Sequence, residues 1–379
     1  MLKPWFLLLT FQFLLSLGFS KSFQFKGEAS AWGGLSESQT SRKFYGLRYI
    51  PEGFLYAPLG KGLQMDAEIS LNLYYNGRFE TTDQIEGEGD IDPYRIWIRL
   101  ASHQFEVRAG LQKINFGSAA LFRPLMWFDS IDPRDPLQIT DGVYGILLRY
   151  YFLNNANIWF WGLYGNDKPK GWERHPTQDK TVEFGGRGQY PVPAGEVGLS
   201  YHQRRLQLNP DIFSVDLLGI QTATENRIGV DGRWDLEIGF WGEFVLSYQN
   251  NSLLPYEWRR LSNIGVDYTL GIGNGIHVLA EHFISEEADE ALGRGDGFSL
   301  SALSFNYPIG VVDQFEGIFY FDWENDDYYT FLNWRRVYDR WTFFLMLFWN
   351  PDQALAFPNQ TGINNFSGKG FQLMLVFNH

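Results

Sequence analysis

Along residues 63–75, LQMDAEISLNLYY, apolar Leu63, Met65, Ala67, Ile69, Leu71, Leu73 and Tyr75 alternate with polar Gln64, Asp66, Glu68, Ser70 and Asn72. A period of two places the sets on opposite faces of an extended strand. The run is about twice the 5–6 residues of an ordinary strand, and it meets the roughly 9–11 tilted residues that cross a bilayer. The same alternation recurs at RIWIRL (95–100), QFEVRAGLQ (104–112), GVYGILLRYYF (142–152), NIWFWGLYG (157–165), TVEFGGRGQY (181–190) and GEVGLSYHQRR (195–205). It continues from NRIGVDGRW (226–234) and DLEIGFWGEFVLSY (235–248) to GFQLMLVFNH (370–379). No window carries the period of an amphipathic helix, so the pattern predicts an all-β chain.

The connections alternate in length. Short links at ASHQ, LNNAN, PVPAG, GRWD, GIGNG, YPIGVVD and VYD are separated mostly by longer polar or glycine-rich segments. Outer-membrane barrels have that asymmetry, with short periplasmic turns and longer external loops. Counting back from a periplasmic C-terminus puts every short link on one side only if 41–50, SRKFYGLRYI, is also a strand. The expected fold is then a transmembrane, antiparallel, up-and-down β-barrel of about 18 strands. The count becomes 16 or 20 if 212–223, IFSVDLLGIQTA, is a strand or if weak runs merge. The first twenty residues read as a secretory signal: Lys3, an apolar run from Trp5 to Leu17, then small residues around Ser20 and Ser22. No later run is long enough for a transmembrane helix, so 21–379 is expected to form a single barrel domain.

Composition sharpens this picture. Aromatic residues make up 18% of the chain, with 14 Trp, 20 Tyr and 33 Phe, and Trp and Tyr settle at membrane interfaces. The formal net charge of −13, with no basic cluster, argues against nucleic acid as a partner. The absence of cysteine excludes disulfides, thiolate metal sites, cysteine nucleophiles and a lipidated cysteine.

If the apolar faces meet lipid, the opposite faces line a lumen. That assigns Asp66, Glu68, Arg95, Arg99, Glu106, Arg108, Arg149, Glu183, Arg187, Arg204, Arg227, Glu237, Glu243, Asp267 and Glu316 to the interior. Among them Asp66, Glu68, Arg95, Arg99, Glu106, Arg108, Arg149 and Arg187 are the candidate pore-lining charges. Facing charges of opposite sign create a transverse field that orients a dipolar or anionic solute; the other reading is that they hydrate and stiffen the wall. The segment 115–142, NFGSAALFRPLMWFDSIDPRDPLQITDG, is too apolar for a solvated external loop, yet it carries Arg123, Asp129, Asp132, Arg134 and Asp135. Folded inward it would pack its apolar residues on the wall, turn those charges to the channel and form the constriction. The alternatives are an external loop packed on its neighbours and a plug.

The stretch VRAGLQKINFGSAALFRPLMWFDSIDPRDP (107–136) resembles outer-membrane porins, including the alginate-export-like group. There a strand ends in a Gly-Arg-Gln type motif and leads into a long loop with an Asp-Pro element. Here the motif reads Gly110, Leu111, Gln112, without the arginine, and the chain ends in Asn378 and His379 after Phe377. The resemblance implies an outer-membrane diffusion channel of roughly 18 strands and transfers no substrate.

Other candidates are weaker. Asp83, Glu86, Glu88, Asp90 and Asp92 offer hard oxygens for Ca²⁺, but in no EF-hand spacing, and a solvated acidic loop is the simpler reading. The acidic runs at 285–290 and 322–329 read the same way. Acidic rims could bridge lipopolysaccharide phosphates through divalent cations. His282 lies in phase with Ile276, Val278 and Ala280, but no serine or acid is tied to it by a motif, so a satisfied interfacial histidine is favoured over a lipase centre. GIGNG is a hairpin turn, since no phosphate-binding helix follows.

The expectation is therefore a non-enzymatic channel without cofactor in a bacterial outer membrane. It passes small polar or anionic solutes passively or with weak selectivity, contacts lipid and lipopolysaccharide, and leaves a homo-oligomer open. The alternatives are an export channel for an anionic polysaccharide, guided by Arg95, Arg99, Arg108, Arg149 and Arg187, an outer-membrane lipase, or an adhesin with a closed lumen.

Overall fold

The computed structural model describes residues 22–38, 41–79, 85–208, 222–250, 255–352 and 366–379. Residues 1–20, expected to be a secretory signal, residues 80–84 of the acidic stretch and nearly all of 212–223 lie outside the described residues.

The strands follow in chain order: β1 Ser22–Glu37, β2 Ser41–Gly60, β3 Leu63–Phe79, β4 Ile85–Ala101, β5 Phe105–Gln112 and β6 Val143–Tyr151. Next come β7 Asn157–Tyr164, β8 Val182–Val192, β9 Gly195–Gln207, β10 Thr222–Asp235, β11 Gly239–Asn250 and β12 Trp258–Leu270. The last six are β13 Ile276–Ala288, β14 Asp296–Pro308, β15 Asp313–Asp322, β16 Asp327–Tyr338, β17 Trp341–Trp349 and β18 Lys369–Asn378. Each pairs antiparallel with its chain neighbours, and β1 pairs with both β2 and β18, so the 18-stranded sheet closes on itself. Closure satisfies every edge, which a sheet facing hydrocarbon requires.

The strand that opened the sequence reading shows which face meets what. On β3, Asp66 and Ser70 are each only 2% exposed, while Ile69 on the other face is 44% exposed. A soluble protein would bury the opposite set. The outer wall continues with exposed Ile91, Ile146, Phe160, Ile228, Ile264 and Leu373. Tyr248 and Trp258 at one end, and Trp341 and Phe377 at the other, form aromatic pairs where the wall meets the interfaces.

The links at one end are all short, as the length alternation predicts: 61–62, 102–104, 152–156, 193–194, 236–238, 271–275, 309–312 and 339–340; the other end carries the long connections together with two short ones, 38–40 and 323–326. One expected turn is displaced. Gly232 to Asp235 stay in the ladder, pairing with β11 through Gly242 to Gly239, and the chain reverses at 236–238 instead. Glu237 therefore sits in an exposed turn and not in the lumen. Trp234 stacks on Phe240 with ring centroids 5.0 Å apart, which holds the ladder closed to its end.

The wall is not uniform in height. β4 runs to Ala101, but β5 pairs only with its last residues, Ile96 to Ala101. The chain leaves the sheet after Gln112 and rejoins it at Val143. The short β5 and β6 start the intervening segment from within the barrel wall.

If hydrocarbon bathes the outer face, Leu71→Arg near the middle of β3 will cost about 2–4 kcal/mol of unfolding free energy, measured by urea titration in lipid vesicles. A loss below about 0.5 kcal/mol, the scale of an ordinary surface change, would mean that this face does not meet lipid.

Candidate pore and its inward loops

A segment lodged inside a barrel has no strand partner for its amides and little water, so each N–H needs an acceptor from the wall. Two lumen-facing carboxylates provide them. Glu243 of β11 accepts from the N–H of Ser118 (2.5 Å), Ala119 (2.7 Å) and Leu125 (3.1 Å). Glu281 of β13 accepts from Ala120 (2.6 Å), Leu121 (3.1 Å) and Phe122 (2.9 Å), and from Trp241 Nε1 at 3.0 Å. Charge-assisted bonds of this kind are the stronger ones. They fasten the segment that left the wall at β5 to strands several places round the barrel.

The side chains follow. Phe116 stacks on Trp161 of β7, Phe122 on Phe283 of β13, and Phe128 meets the edge of Trp161. With Ile114, Leu121, Leu125, Met126 and Trp127 they form one buried cluster with the inward faces of β6, β7 and β11 to β17. Each such residue contributes about 1.5–3 kcal/mol on burial. Gly229 of β10 makes room, because a Cβ there would come within 2.4 Å of Leu125. Much of the lumen wall is thus apolar and covered, where a polar lining all round was expected.

A second loop, 165–181, folds in as well, and sequence reasoning missed it. Trp172 is buried, stacks on Phe283 with centroids 4.3 Å apart, and donates from Nε1 to the Phe122 carbonyl at 2.7 Å. Arg259 donates to the Trp172 carbonyl. Glu173 bridges Arg204 (3.0 Å) and Arg227 (2.9 Å), which also share Glu225. Gly171 has φ +44 and lies so close to the Met126 carbonyl that a Cβ would fall 1.8 Å from its oxygen. The only local signal was a tryptophan in an otherwise polar loop.

Most charges assigned to the constriction are spent within the loop. Arg123 donates twice to Asp129, at 2.8 and 3.1 Å, and both are buried. Arg134 pairs with Asp132 at 2.9 Å and lies over the Phe331 ring. Asp135 accepts from the Leu137 and Ile139 amides at 3.0 and 3.3 Å, and burial pushes its carboxyl above the usual range. These groups brace the loop and do not turn freely to the channel as expected; the reason is that an apolar enclosure favours paired charges. Lys113, the first residue off the wall, is exposed and was not singled out by its sequence pattern.

The pore-lining candidates divide into two groups. Arg187 is buried under the loop, doubly bonded to Asp231 at 2.6 and 2.8 Å and set over Phe116, so its charge is compensated away from the solvent path. Arg95 is also buried, donating to the carbonyls of Tyr94 and Thr140 and tying the end of the loop to β4. The others gather on β3 to β6. Arg99 bonds Asp66 and lies 3.6 Å from Glu106, which also meets Arg108 at 3.1 Å and Arg149 at 3.7 Å. Arg108 sits over Trp97 and Arg149 over Trp159, at 4.7 and 3.8 Å from the ring centroids. Glu68, beside them on β3, accepts from Ser70 Oγ at 3.4 Å. These three guanidinium groups keep part of their surface exposed.

Two histidines are structural. Trp161 Nε1, which can only donate, bonds His202 Nδ1 at 3.1 Å; Nε2 therefore carries the proton and donates to Glu183 at 3.2 Å. His282 is on the outer wall. Its Nδ1 lies 2.9 Å from Ser301 Oγ, a partner that the sequence did not reveal, and Trp323 Nε1 donates to the same oxygen at 2.9 Å. No carboxylate is bonded to that ring among the described residues, so the contact lacks the orienting acid of a hydrolase. The described residues hold no His, Asp and Glu cluster suited to a metal.

No family model and no curated protein matches this chain. Solved structures do. OccK7 of Pseudomonas aeruginosa aligns at TM-score 0.57 and 11% identity, covering 95% of this chain and 99% of that one. OccAB2 of Acinetobacter baumannii aligns at 0.57 and 10%, covering 94% and 98%. An anion-selective porin from Comamonas acidovorans aligns at 0.50 and 12%, covering 95% and 100%. The fold is that of outer-membrane porins. At these identities the likeness is one of architecture, and the particular resemblance to alginate-export proteins finds no counterpart among these neighbours.

Removing the Glu281 carboxylate by Glu281→Ala leaves three loop amides without an acceptor, at about 1–3 kcal/mol each. Amide hydrogen exchange across 118–125 should then accelerate about tenfold or more, while the strand signal in circular dichroism stays unchanged. Exchange at the native rate would show that the carboxylate does not hold the loop.

Proposed function

We propose that this protein is a bacterial outer-membrane channel for the passive or weakly selective diffusion of small polar or anionic solutes, narrowed by segment 115–142. The observation that carries this reading is the division of the lumen. The two inward loops cover the apolar faces of β6, β7 and β11 to β17 and the paired charges of β8 to β10, whereas β3 to β6 keep a polar, partly exposed cluster around Glu106. Arg99, Arg108 and Arg149 there form a ladder on neighbouring strands, Arg108 and Arg149 held upright by Trp97 and Trp159 and Arg99 by Asp66. Guanidinium groups stacked in this way are weakly hydrated and present planar donors to a passing carboxylate or phosphate. Opposed by Asp66, Glu68 and Glu106, they act on a solute without holding it, as charged rings do in other pores. Export of a polymeric anion would need the same track with a wider passage, which the two inward loops disfavour.

Purified protein in planar bilayers should give discrete conductance steps, and wild type that never conducts would sink the channel reading. One unit charge about 4 Å from an ion in water contributes on the order of 1 kcal/mol. The double change Arg99→Gln and Arg108→Gln should therefore shift the anion-to-cation permeability ratio severalfold towards cations, read from the reversal potential in a salt gradient. A ratio that does not move would show that the ladder lies off the ion path.

A further inference from the structure

Between the tip of the inward loop and the lumen faces of β15 to β17 lies a cavity of ≈ 120 Å³. Its polar walls come from Arg134, Asp135 and Gln138 on the loop, and from Glu316, Asn333 and Arg335 on the strands. Its apolar side includes Phe331 and Phe344. We propose that this cavity is a seat for a neutral vicinal diol, either a small polyol or one edge of a sugar ring. The proposal deepens the channel reading, on which it rests, by naming a solute class.

The charges decide against an ion. Two cations, Arg134 and Arg335, face two carboxylates, Asp135 and Glu316. An ammonium ion entering would meet the guanidinium groups, and an anion would meet the carboxylates. Several of these groups are already engaged: Arg134 with Asp132, Arg335 with Gln314 Oε1, and Asp135 with its two loop amides. Other groups remain open. Asn333 Oδ1 is buried without a hydrogen-bond donor, and the Glu316 carboxylate accepts no hydrogen bond among the described residues. Gln138 is exposed at φ +47, a left-handed conformation fixed by the loop turn that Asp135 caps. A ligand must therefore offer two adjacent donors to Asn333 and Glu316 while accepting from the remaining N–H groups of Arg335 and the amide of Gln138. Adjacent hydroxyls do both, since each is one donor and two acceptors. The C–H side of a sugar or polyol then lies towards Phe331 and Phe344. Size agrees: a cavity of about 150 Å³ accepts benzene, so this one suits glycerol or part of a pyranose.

The test is ion current through wild-type channels in planar bilayers during titration with glycerol and with glucose. Polyethylene glycol of matching hydrodynamic size is the control for viscosity. The expected result is a saturating fall in current with the diols and a non-saturating, viscosity-like fall with the polymer. Asn333→Leu and Glu316→Met should each raise the half-saturating concentration about tenfold, as loss of one buried hydrogen bond implies. The two variants remove different groups, so either one that inserts reads the seat. Butylammonium and butyrate should not give saturable block at the same concentrations. Saturable block by either ion at the glucose concentration, or half-saturation unchanged in the inserted variants, overturns the neutral-diol seat. Conducting wild type without saturable diol block overturns the seat alone, whereas protein that never conducts overturns the channel reading and the seat with it.

Discussion

The arrangement of this lumen depends on two buried carboxylates accepting hydrogen bonds from the backbone of a loop. A peptide segment drawn into a barrel loses water at every amide, and without acceptors that loss would exceed what its apolar side chains gain. Glu243 and Glu281 remove the penalty for six N–H groups in a row of eight residues, 118 to 125. The relation is mutual. The carboxylates are themselves buried beneath the loop, and the amides are what make their burial tolerable. Once the backbone is fastened, Phe116, Phe122 and Phe128 reach the rings of Trp161 and Phe283, and the covered wall becomes a hydrophobic core inside a membrane protein.

That core sorts the charges. Where the loops lie on the wall, each ionic group is matched: Arg187 with Asp231, Arg123 with Asp129, and Arg204 and Arg227 with Glu225 and Glu173. A bonded pair presents a dipole to its surroundings, and its influence on a solute fades faster than that of a free charge. Glu173 also ties the second loop to the wall, and Trp172 bonds from that loop to the first. The two loops therefore form one cooperative layer, and an opening of either would strip partners from the other. Around Glu106, beyond the loop end that Arg95 ties to β4, Arg108 and Arg149 rest on indole rings, Arg99 bonds Asp66, and all three stay within reach of water.

Particular elements show where sequence reasoning succeeded. The extra strand at 41–50 was required by parity alone and is the first half of β2. The alternation in 63–75 placed Asp66, Ser70 and Asn72 on the buried face of β3 and Ile69, Leu71 and Tyr75 on the exposed one, because side-chain period is local to a strand. The turn at 236–238 was misplaced by a few residues, since Gly232 and Asp235 resemble turn punctuation while the stacking of Trp234 on Phe240 keeps them in the ladder. Trp172 and Glu173 gave no inward signal, because their partners are remote in the chain.

The acidic residues 85–92, which read as part of a solvated loop, are the first half of β4, but by itself the sequence determined the other strands, the lipid-facing side of most, their parity and the side of the barrel that carries the longest connections. All of these follow from a period of two and from the demand that hydrocarbon meet no unpaired backbone. It also marked segment 115–142 as too apolar to stand in water. Which charges stay open to a solute was decided only by the tertiary structure. A lumen-facing arginine reads the same whether it meets water or a carboxylate brought from forty residues away, and only closure of the barrel, with the loops inside it, sets that distance.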